Sequence, residues 1–245
     1  MSPHASRPIA VRPTRTASTM PSPLPPAPET VVLLHGIAAP ALQLHPLAQV
    51  LAAAGYRTVN LPYASRPLTL EQLARDYLPA QLRAQGADAA PRLHFVAHSM
   101  GALVVRLYLQ QHKPANLGRV VLLGPPNAGS PIADRLSRSA LLRWLIGPNL
   151  SRLGTATPDA IASRLVPPDY EVGVIAGRSS INPIFSRWHQ GENDGAVSVD
   201  SARLAGARDF LIVPHSHTVM LFRDAVAAQV VAFLRTGRFA NPHAD

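Results

Sequence analysis

Residues 92–101 of the chain, RLHFVAHSMG, constrain its fold more than any other stretch. The bulky apolar run LHFVA is typical of a strand that is buried on both faces. It leads into Ser99, which lies between the small residues Ala97 and Gly101, and apolar side chains follow near helical spacing. Small residues two positions before and after a serine allow a strand to turn sharply into a helix without a steric clash. The stretch therefore predicts a strand, a tight turn with Ser99 at its tip, and a helix.

A serine at the tip of such a turn has its hydroxyl exposed at the edge of the sheet, where it can act as a nucleophile. Ser99 is therefore the predicted nucleophile, with Ala97 standing where the GxSxG pattern has its first glycine. The AHSMG form resembles small bacterial lipases of the α/β-hydrolase family. This resemblance covers about residues 30–236. It implies a serine hydrolase in which the acid and then the histidine follow the nucleophile along the chain.

Apolar runs and helical patterns alternate along the chain, which predicts a mostly parallel sheet with helices on both faces. Thr69 is a candidate helix N-cap, and Gly55, Gly86 and Gly237 are candidate helix stops. Together with the resemblance, this predicts an α/β-hydrolase fold with a cap-like helical excursion over residues 125–169, after the sixth strand. The predicted strands are 30–36, 56–62, the strand before Ser99, 118–124, 171–177 and 210–214, and the predicted helices are 40–55, 68–86, one that ends at Gln111, and 218–237.

The catalytic base is predicted in the segment VPHSHTVM, just after the last strand. A serine hydroxyl needs a base to remove its proton, and in this fold the histidine comes late in the chain. Two histidines, His215 and His217, lie in the segment. The SHT passage resembles that of the lipase-like family and lies where the strand meets the next helix, so His217 is the preferred base. His215, two residues nearer the strand, is the alternative.

The acid that orients this histidine is predicted on the loop after strand 171–177. Asp194 lies in GENDGAVSVDSAR, where Asp-Gly marks a turn. The NDGxVS form also resembles the acid-bearing loop of the lipase family, so Asp194 is preferred. Asp200 is the alternative, and Asp209 fits the role of a turn former.

An oxyanion hole requires two backbone N–H groups directed at the developing negative charge. The family pattern places them at Met100, after the nucleophile, and at Ile37 in LLHGIAAP. The histidine of that His-Gly pair, His35, is interpreted as structural. A metal site formed by His35, His98 and His217 has no ligand spacing to support it. We therefore expect neither a metal nor a cofactor.

The length of the chain suits one catalytic domain, predicted over residues 30–237. Residues 1–29 contain eight of the 25 prolines and no apolar run, which predicts a disordered tail, and residues 238–245 are predicted as a C-terminal tail. The chain has no recognisable secretory signal peptide and no run of about 18 apolar residues. The expected location is the cytoplasm or a membrane surface. Because cysteine is absent, disulfides, thiol nucleophiles and cysteine metal sites are excluded.

The formal charge of +9 does not predict nucleic-acid binding, because only 15% of residues are charged and the arginines form no basic block. Such a charge attracts anionic surfaces, including phospholipid headgroups, so a peripheral membrane surface is a possible partner. The segment SALLRWLIGPNLSRLG, residues 139–154, joins large apolar residues to Arg143 and Arg152, and a surface of this kind suits lipid. The alternative is a helix whose apolar face completes the core.

These patterns predict a lipase or carboxylesterase of lipid metabolism, which cleaves a small-molecule ester or lipid through an acyl-enzyme on Ser99. An acyltransferase, a thioesterase or an amidase would use the same triad. A noncatalytic binding protein of this fold would be expected to lack a member of the triad, and all three candidates are present.

Overall fold

A computed structural model describes residues 27–155, 160–180, 187–189 and 191–240 of the protein. Six strands among these residues form one sheet, and every neighbouring pair is parallel. They lie within two residues of the predicted strands, so the predicted parallel sheet is confirmed. In chain order the strands are β1 Thr30–Leu34, β2 Arg57–Leu61, β3 Leu93–His98, β4 Leu117–Leu123, β5 Val172–Gly177 and β6 Asp209–Val213.

The order of the strands across the sheet is β2-β1-β3-β4-β5-β6. The chain runs from β1 to β2 on one side and then returns to place β3 on the other side of β1. A crevice opens at the carboxyl ends of parallel strands where the strand order reverses in this way, and ligands bind there. Leu34 at the end of β1 is in register with Ala97 in β3. The loop after β1 and the turn at Ser99 therefore start side by side at this crevice.

Helices cover both faces of the sheet. Side chains alternate between the faces of a strand. Val31 and Leu33 of β1 pack in the cluster that includes helices 45–53 and 224–236, and Val32 and Leu34 pack in the cluster that includes helices 70–84 and 100–111. Both clusters are buried, which explains the continuous apolar run of β1. The helices are α1 His45–Ala53, α2 (Leu70–Gln72, a π-helical turn Leu73–Tyr77, and Leu78–Ala84), α3 Met100–Gln111, α4 Pro131–Leu136, α5 Ala140–Ile146, α6 Asn149–Arg152, α7 Val199–Ala202 and α8 Asp224–Thr236.

Helix α2 begins with a capping box and contains a wide turn. The Thr69 hydroxyl accepts a hydrogen bond from the Gln72 N–H (3.2 Å), and the Gln72 side chain accepts one from the Thr69 N–H (2.9 Å). Within the helix, the Leu78 N–H donates to the Leu73 carbonyl, five residues earlier. Pro79 follows directly and has no N–H to donate to the carbonyl four residues earlier. The π-helical turn therefore lies where the α-helical hydrogen-bond pattern is interrupted in any case.

The segment between β4 and β5 contains α4, α5, α6 and a 3-10 turn, Ile161–Arg164, and no strand among its described residues. This agrees with the helical excursion predicted over residues 125–169. The prediction that the excursion follows the sixth strand is corrected, because it follows the fourth of the six described strands. The described residues before Thr30 add no further strand to the sheet.

Asn149 joins the excursion to the rest of the domain. Its side chain is fully buried, and its amide nitrogen donates to the carbonyls of Ser65 (3.0 Å) and Leu68 (2.7 Å). Its side-chain oxygen accepts from the N–H of Leu70 (3.0 Å), the first residue of α2. Because a buried amide needs such partners, these three bonds hold the start of α6 against the start of α2.

The predicted tails lie mostly outside the described residues, which begin at residue 27 and end at residue 240. At the carboxyl end, the ring of Phe239 packs against that of Phe233 at a tilt, with ring centroids 5.0 Å apart. The first residues of the predicted C-terminal tail therefore pack against α8. No helix within the described ranges is long and apolar enough to cross a membrane.

Candidate active site

Ser99 occupies the turn between β3 and α3 in a backbone conformation that few residues adopt. Its φ is 54° and its ψ is −122°, and such strain in a non-glycine residue costs about 1–3 kcal/mol. Glycine is required at position 101, because a Cβ there would lie 2.5 Å from the His35 carbonyl oxygen and 2.7 Å from that of Leu34. Ala97 lies inside β3, where its methyl group is fully buried. The strand, turn and helix predicted around Ser99 are all present.

A cavity of about 290 Å³ opens beside Ser99. Ile37 and His217 also line it, so three of the predicted site residues meet at one place. The excursion between β4 and β5 supplies most of the apolar wall. The apolar residues are chiefly Ile132, Ala133, Leu136, Ile146, Leu150, Leu153 and Val197.

His217 is held by Asp194 through two hydrogen bonds. The ring nitrogen Nδ1 lies 2.7 Å from Oδ2 of the carboxylate, and the His217 backbone N–H donates to the Asp194 carbonyl over 3.0 Å. Since a carboxylate only accepts, Nδ1 carries the proton, and Nε2 of a neutral ring then bears a free electron pair. The histidine is therefore in the tautomer that can accept a proton at Nε2.

The Asp194 carboxyl group is almost completely buried, and burial alone would raise its pKa. The positive charge that His217 bears when it is protonated acts in the opposite direction, as do hydrogen bonds from His217 and two backbone N–H groups, and together they lower the pKa overall. Those N–H groups belong to Ala196 (2.9 Å) and Val197 (2.7 Å), and both bind Oδ1. Asp194 is thus a carboxylate at neutral pH, with Oδ2 on the histidine.

Two glycines at strand ends make room for this pair, and sequence reasoning missed both. Gly124 follows β4 with a φ of +52°, and a Cβ there would lie 2.9 Å from Nδ1 of His217. A Cβ on Gly177, the last residue of β5, would lie 2.8 Å from Cβ of Asp194. Their positions at the ends of predicted strands were the available signal, since only glycine tolerates such close approach.

The loop after β1 lies against the turn at Ser99. A Cβ on Gly36 would be 3.2 Å from Cβ of Ser99, and the next residue, Ile37, lines the cavity. Ala38 has a φ of 52°, and its N–H donates to the Ser65 hydroxyl over 2.9 Å. The loop is therefore held by a side chain from the segment between β2 and α2.

Met100, the other residue predicted for the oxyanion hole, is the first residue of α3. The first N–H groups of a helix have no acceptor inside the helix, so that of Met100 is available at this position. Met100 and Ile37 belong to the two segments that meet at Ser99.

His98, the residue before Ser99, contacts His217 and also lines the cavity. Its Nε2 donates to the His217 carbonyl over 3.0 Å, and the two ring centroids are 4.5 Å apart. Burial, followed by the proximity of His217, lowers the pKa of His98 to about 3. The ring is therefore neutral at neutral pH, and it supports the backbone of His217. Its place beside Ser99 was the only sequence signal for this contact.

His35 makes contacts of a structural kind. Its ring stacks on Tyr63 with centroids 4.0 Å apart, its Nδ1 donates to the Gly36 carbonyl, and its Nε2 accepts from the Tyr63 N–H. Among the described residues, no group of three or more His, Cys, Asp or Glu side chains could hold a metal ion.

The alternative triad residues lie elsewhere. Asp200 is in α7, where its exposed carboxylate pairs with Arg203 over 3.5 Å. Asp209 begins β6, and so lies at the edge of the sheet opposite Ser99. The His215 backbone packs against Gly177. The hydrogen bond to Asp194 is made by His217.

Comparisons with known proteins agree with this architecture. A family model described as the alpha/beta hydrolase fold matches residues 29–147. A lipase from Bacillus licheniformis in its mature form superposes with a TM-score of 0.66 and 19% identity, covering 90% of this chain and 96% of that one. A carboxyl esterase from a metagenome superposes with a TM-score of 0.64 and 21% identity, covering 85% of this chain and 71% of that one. A phospholipase from Legionella pneumophila superposes with a TM-score of 0.59 and 19% identity, covering 73% of this chain and 45% of that one. No curated protein gives a significant sequence match. At these identities the likeness is one of fold.

Proposed function

We propose that this chain, whose fold is that of the α/β hydrolases, hydrolyses carboxylic esters with apolar acyl groups, as a lipase or carboxylesterase does. One observation carries the proposal: Ser99 and His217 line the same cavity, and His217 donates to the buried carboxylate of Asp194 over 2.7 Å. Nucleophile, acid and base occur in the order Ser99, Asp194, His217, as they do in this fold.

In the first half of the reaction, Nε2 of His217 accepts the hydroxyl proton of Ser99 while Oγ attacks the ester carbonyl carbon. The carbonyl π electrons move to oxygen, and the N–H groups of Ile37 and Met100 stabilise the resulting oxyanion. When the tetrahedral intermediate collapses, the C–O bond to the alcohol breaks. The departing oxygen takes the proton from His217, and the acyl group remains on Ser99.

Water completes the cycle by the reverse sequence of proton transfers. His217 accepts a proton from water as its oxygen attacks the acyl carbon, and a second oxyanion forms at the same two N–H groups. Collapse returns the proton to Oγ of Ser99 and releases the acid. Asp194 stays ionised throughout and stabilises the imidazolium in both halves.

The apolar wall supports an acyl group as the part of the substrate that enters the cavity. Each buried CH₂ contributes about 0.8 kcal/mol, which corresponds to about fourfold in kcat/KM for every methylene that the wall covers. We therefore expect kcat/KM for p-nitrophenyl esters to rise with chain length until the cavity is filled. A profile that falls from acetate onward would contradict the assignment of this wall to the acyl group.

The chemistry is tested with a fluorophosphonate probe, which labels a serine only when it is activated. We expect labelling of the wild-type protein and none in Ser99→Ala, with His217→Ala labelled at least a hundredfold more slowly. Circular dichroism of the three proteins provides the control for folding. Equal labelling of Ser99→Ala, or no labelling of folded wild-type protein, would refute the proposal.

A further inference from the structure

Helix α5, Ala140–Ile146, presents large apolar side chains to solvent. Leu142 and Ile146, one turn apart, pack against the core, whereas Leu141, Trp144 and Leu145 lie on the opposite side. The exposed fractions of these three are 63%, 72% and 42%. A contiguous exposed apolar surface of this kind marks a site of interaction. We call Leu141, Trp144 and Leu145 the outer face of α5.

Helix α5 itself lies at the rim of the catalytic cavity. Ile146 of α5 lines the cavity itself. Two shallow depressions lie on the surface near the cavity. The inner depression shares Ala38 with the cavity, and it shares Arg66 with the outer depression. The shared lining residues therefore place the outer depression close to the cavity on the protein surface. The outer depression is lined by Arg66, Pro67, Arg143, Trp144, Gly147 and Pro148.

The two arginines beside Trp144 lack carboxylate partners. Arg66 and Arg143 are exposed, and no carboxylate among the described residues lies within ion-pair distance of either one. Arg143 donates one hydrogen bond to a carbonyl, that of Ser137. The one acidic residue between positions 130 and 155 is Asp134, whose carboxylate accepts from Thr155. The outer face is therefore bordered by uncompensated positive charge.

The two arginine-bearing segments are fixed against each other. A Cβ on Gly147 would lie 2.5 Å from the Arg66 carbonyl oxygen, so the chain after α5 contacts the backbone of Arg66 directly. The buried side chain of Asn149 donates to the neighbouring carbonyl of Ser65 over 3.0 Å. The backbone segments that carry the two arginines are thus in direct contact.

We propose that the outer face of α5, with Arg66 and Arg143, docks the protein on the surface of an anionic phospholipid membrane. Trp144 and the two leucines enter the boundary between headgroups and acyl chains, and the arginines contact lipid phosphates. Charge complementarity selects this occupant over an uncharged surface. The inference rests on the proposed function in one respect, namely that docking here brings lipid ester bonds to the cavity mouth.

Binding is measured on the inactive variant Ser99→Ala, so that its outcome does not depend on catalysis. Trp188→Phe is added, which leaves Trp144 as the single tryptophan of the chain. The protein is sedimented with vesicles of phosphatidylcholine, alone or mixed with phosphatidylglycerol. We expect binding to the mixed vesicles, with a shift of Trp144 emission to shorter wavelength.

Substitutions in this background separate the charges from the apolar face. Arg66→Gln and Arg143→Gln are each expected to weaken binding about fivefold at low salt, since one basic residue near an anionic surface contributes about 1 kcal/mol. Trp144→Ser is expected to weaken it at least tenfold. The matched control is Arg83→Gln, an exposed arginine in the last turn of α2 at the opposite edge of the sheet, and it should bind as the parent does.

Several outcomes would overturn the proposal: no binding by folded protein, equal binding to neutral and mixed vesicles, or the same loss in Arg83→Gln as in Arg143→Gln. A dimer that forms without vesicles and dissociates in Trp144→Ser would assign the face to a second copy of the chain. Absent fluorophosphonate labelling, by contrast, would refute the proposed function while the vesicle result stood.

Discussion

At the scale of single residues, the charge on Asp194 is the feature on which the proposed chemistry depends most. Oδ1 is occupied by two backbone N–H groups, so only Oδ2 is free to accept from His217. In Asp194→Asn the amide nitrogen would face Nδ1, and His217 would have to place its proton on Nε2, where it could no longer accept one from Ser99. We expect kcat to fall by about 10³–10⁴-fold, measured with p-nitrophenyl butyrate. Asp200→Asn, the matched control, should keep the wild-type kcat, and the reverse pattern would make Asp200 the acid.

The buried His98 predicts a pH dependence of stability. Its pKa is about 3 in the folded protein and about 6.5 in an unfolded chain. Between these two pKa values the unfolded state binds a proton that the folded state does not, so the free energy of unfolding rises with pH. The stabilisation is fully present above about pH 6.5. His98→Gln, whose amide can still donate to the His217 carbonyl, should reduce the slope by up to about 1.4 kcal/mol per pH unit.

This slope is measured by urea unfolding between pH 5 and 6.5. Folding lowers the pKa of Asp194, so this carboxylate stabilises the folded state at every pH above its pKa in the unfolded chain. That stabilisation is lost only at lower pH. The chosen window therefore isolates histidines, of which His35, His94 and His189 also have lowered pKa values, mainly because they are buried. Parallel curves for the wild-type protein and His98→Gln would contradict the assignment.

At the scale of elements, the loop after β1 depends on a side chain from another segment. Ala38 keeps its positive φ while its N–H donates to the Ser65 hydroxyl, and Ile37 precedes it. Ser65→Ala should therefore loosen the predicted oxyanion N–H and lower kcat about tenfold, with KM unchanged, because the oxyanion exists only after attack. Ala38→Gly should restore part of the loss in the double variant, since glycine adopts this φ without strain. A change in KM alone, or no recovery, would contradict this role.

The ends of helices could be predicted where nearby residues determine them, but contacts between residues far apart in the sequence could not. Thr69 and Gly237 lie at helix ends as predicted, because capping and left-handed backbone are properties of a few neighbouring residues. The elbow at Ser99 followed from the same kind of local pattern, whereas the order of the candidate triad followed from the resemblance to the α/β-hydrolase family. The bonds of Asn149 to residues 79 to 84 positions away leave no periodic signal in the sequence. For Gly124, the sequence shows only a glycine at the end of a predicted strand, and its partner His217 becomes evident only in three dimensions.

At the scale of the whole molecule, the two edges of the sheet have different chemistry. The carboxyl edge holds the cavity, while an ion-pair network lies at the starts of β4, β5 and β6. Glu171 accepts from Arg119 (2.6 Å) and pairs with Arg208 (2.5 Å). Arg119 also donates to the carbonyls of Leu234 and Arg235 in the last turn of α8. Because one carboxylate links three strands and a helix, stability should be separable from activity here.

Glu171→Gln tests this separation. Removing the charge leaves two arginines without their shared partner, and since Glu171 is about one-third exposed, solvent screening limits the cost to about 1 kcal/mol. For a domain of this size that lowers Tm by about 2–4 °C, measured by calorimetry.

The control is Asp76→Asn, which breaks the isolated exposed pair with Arg75 and should leave Tm unchanged. Both variants should retain the wild-type kcat/KM, because neither carboxylate lies near the cavity. A loss of kcat/KM in Glu171→Gln that Asp76→Asn does not share would mean that this network also sets the geometry at the opposite edge.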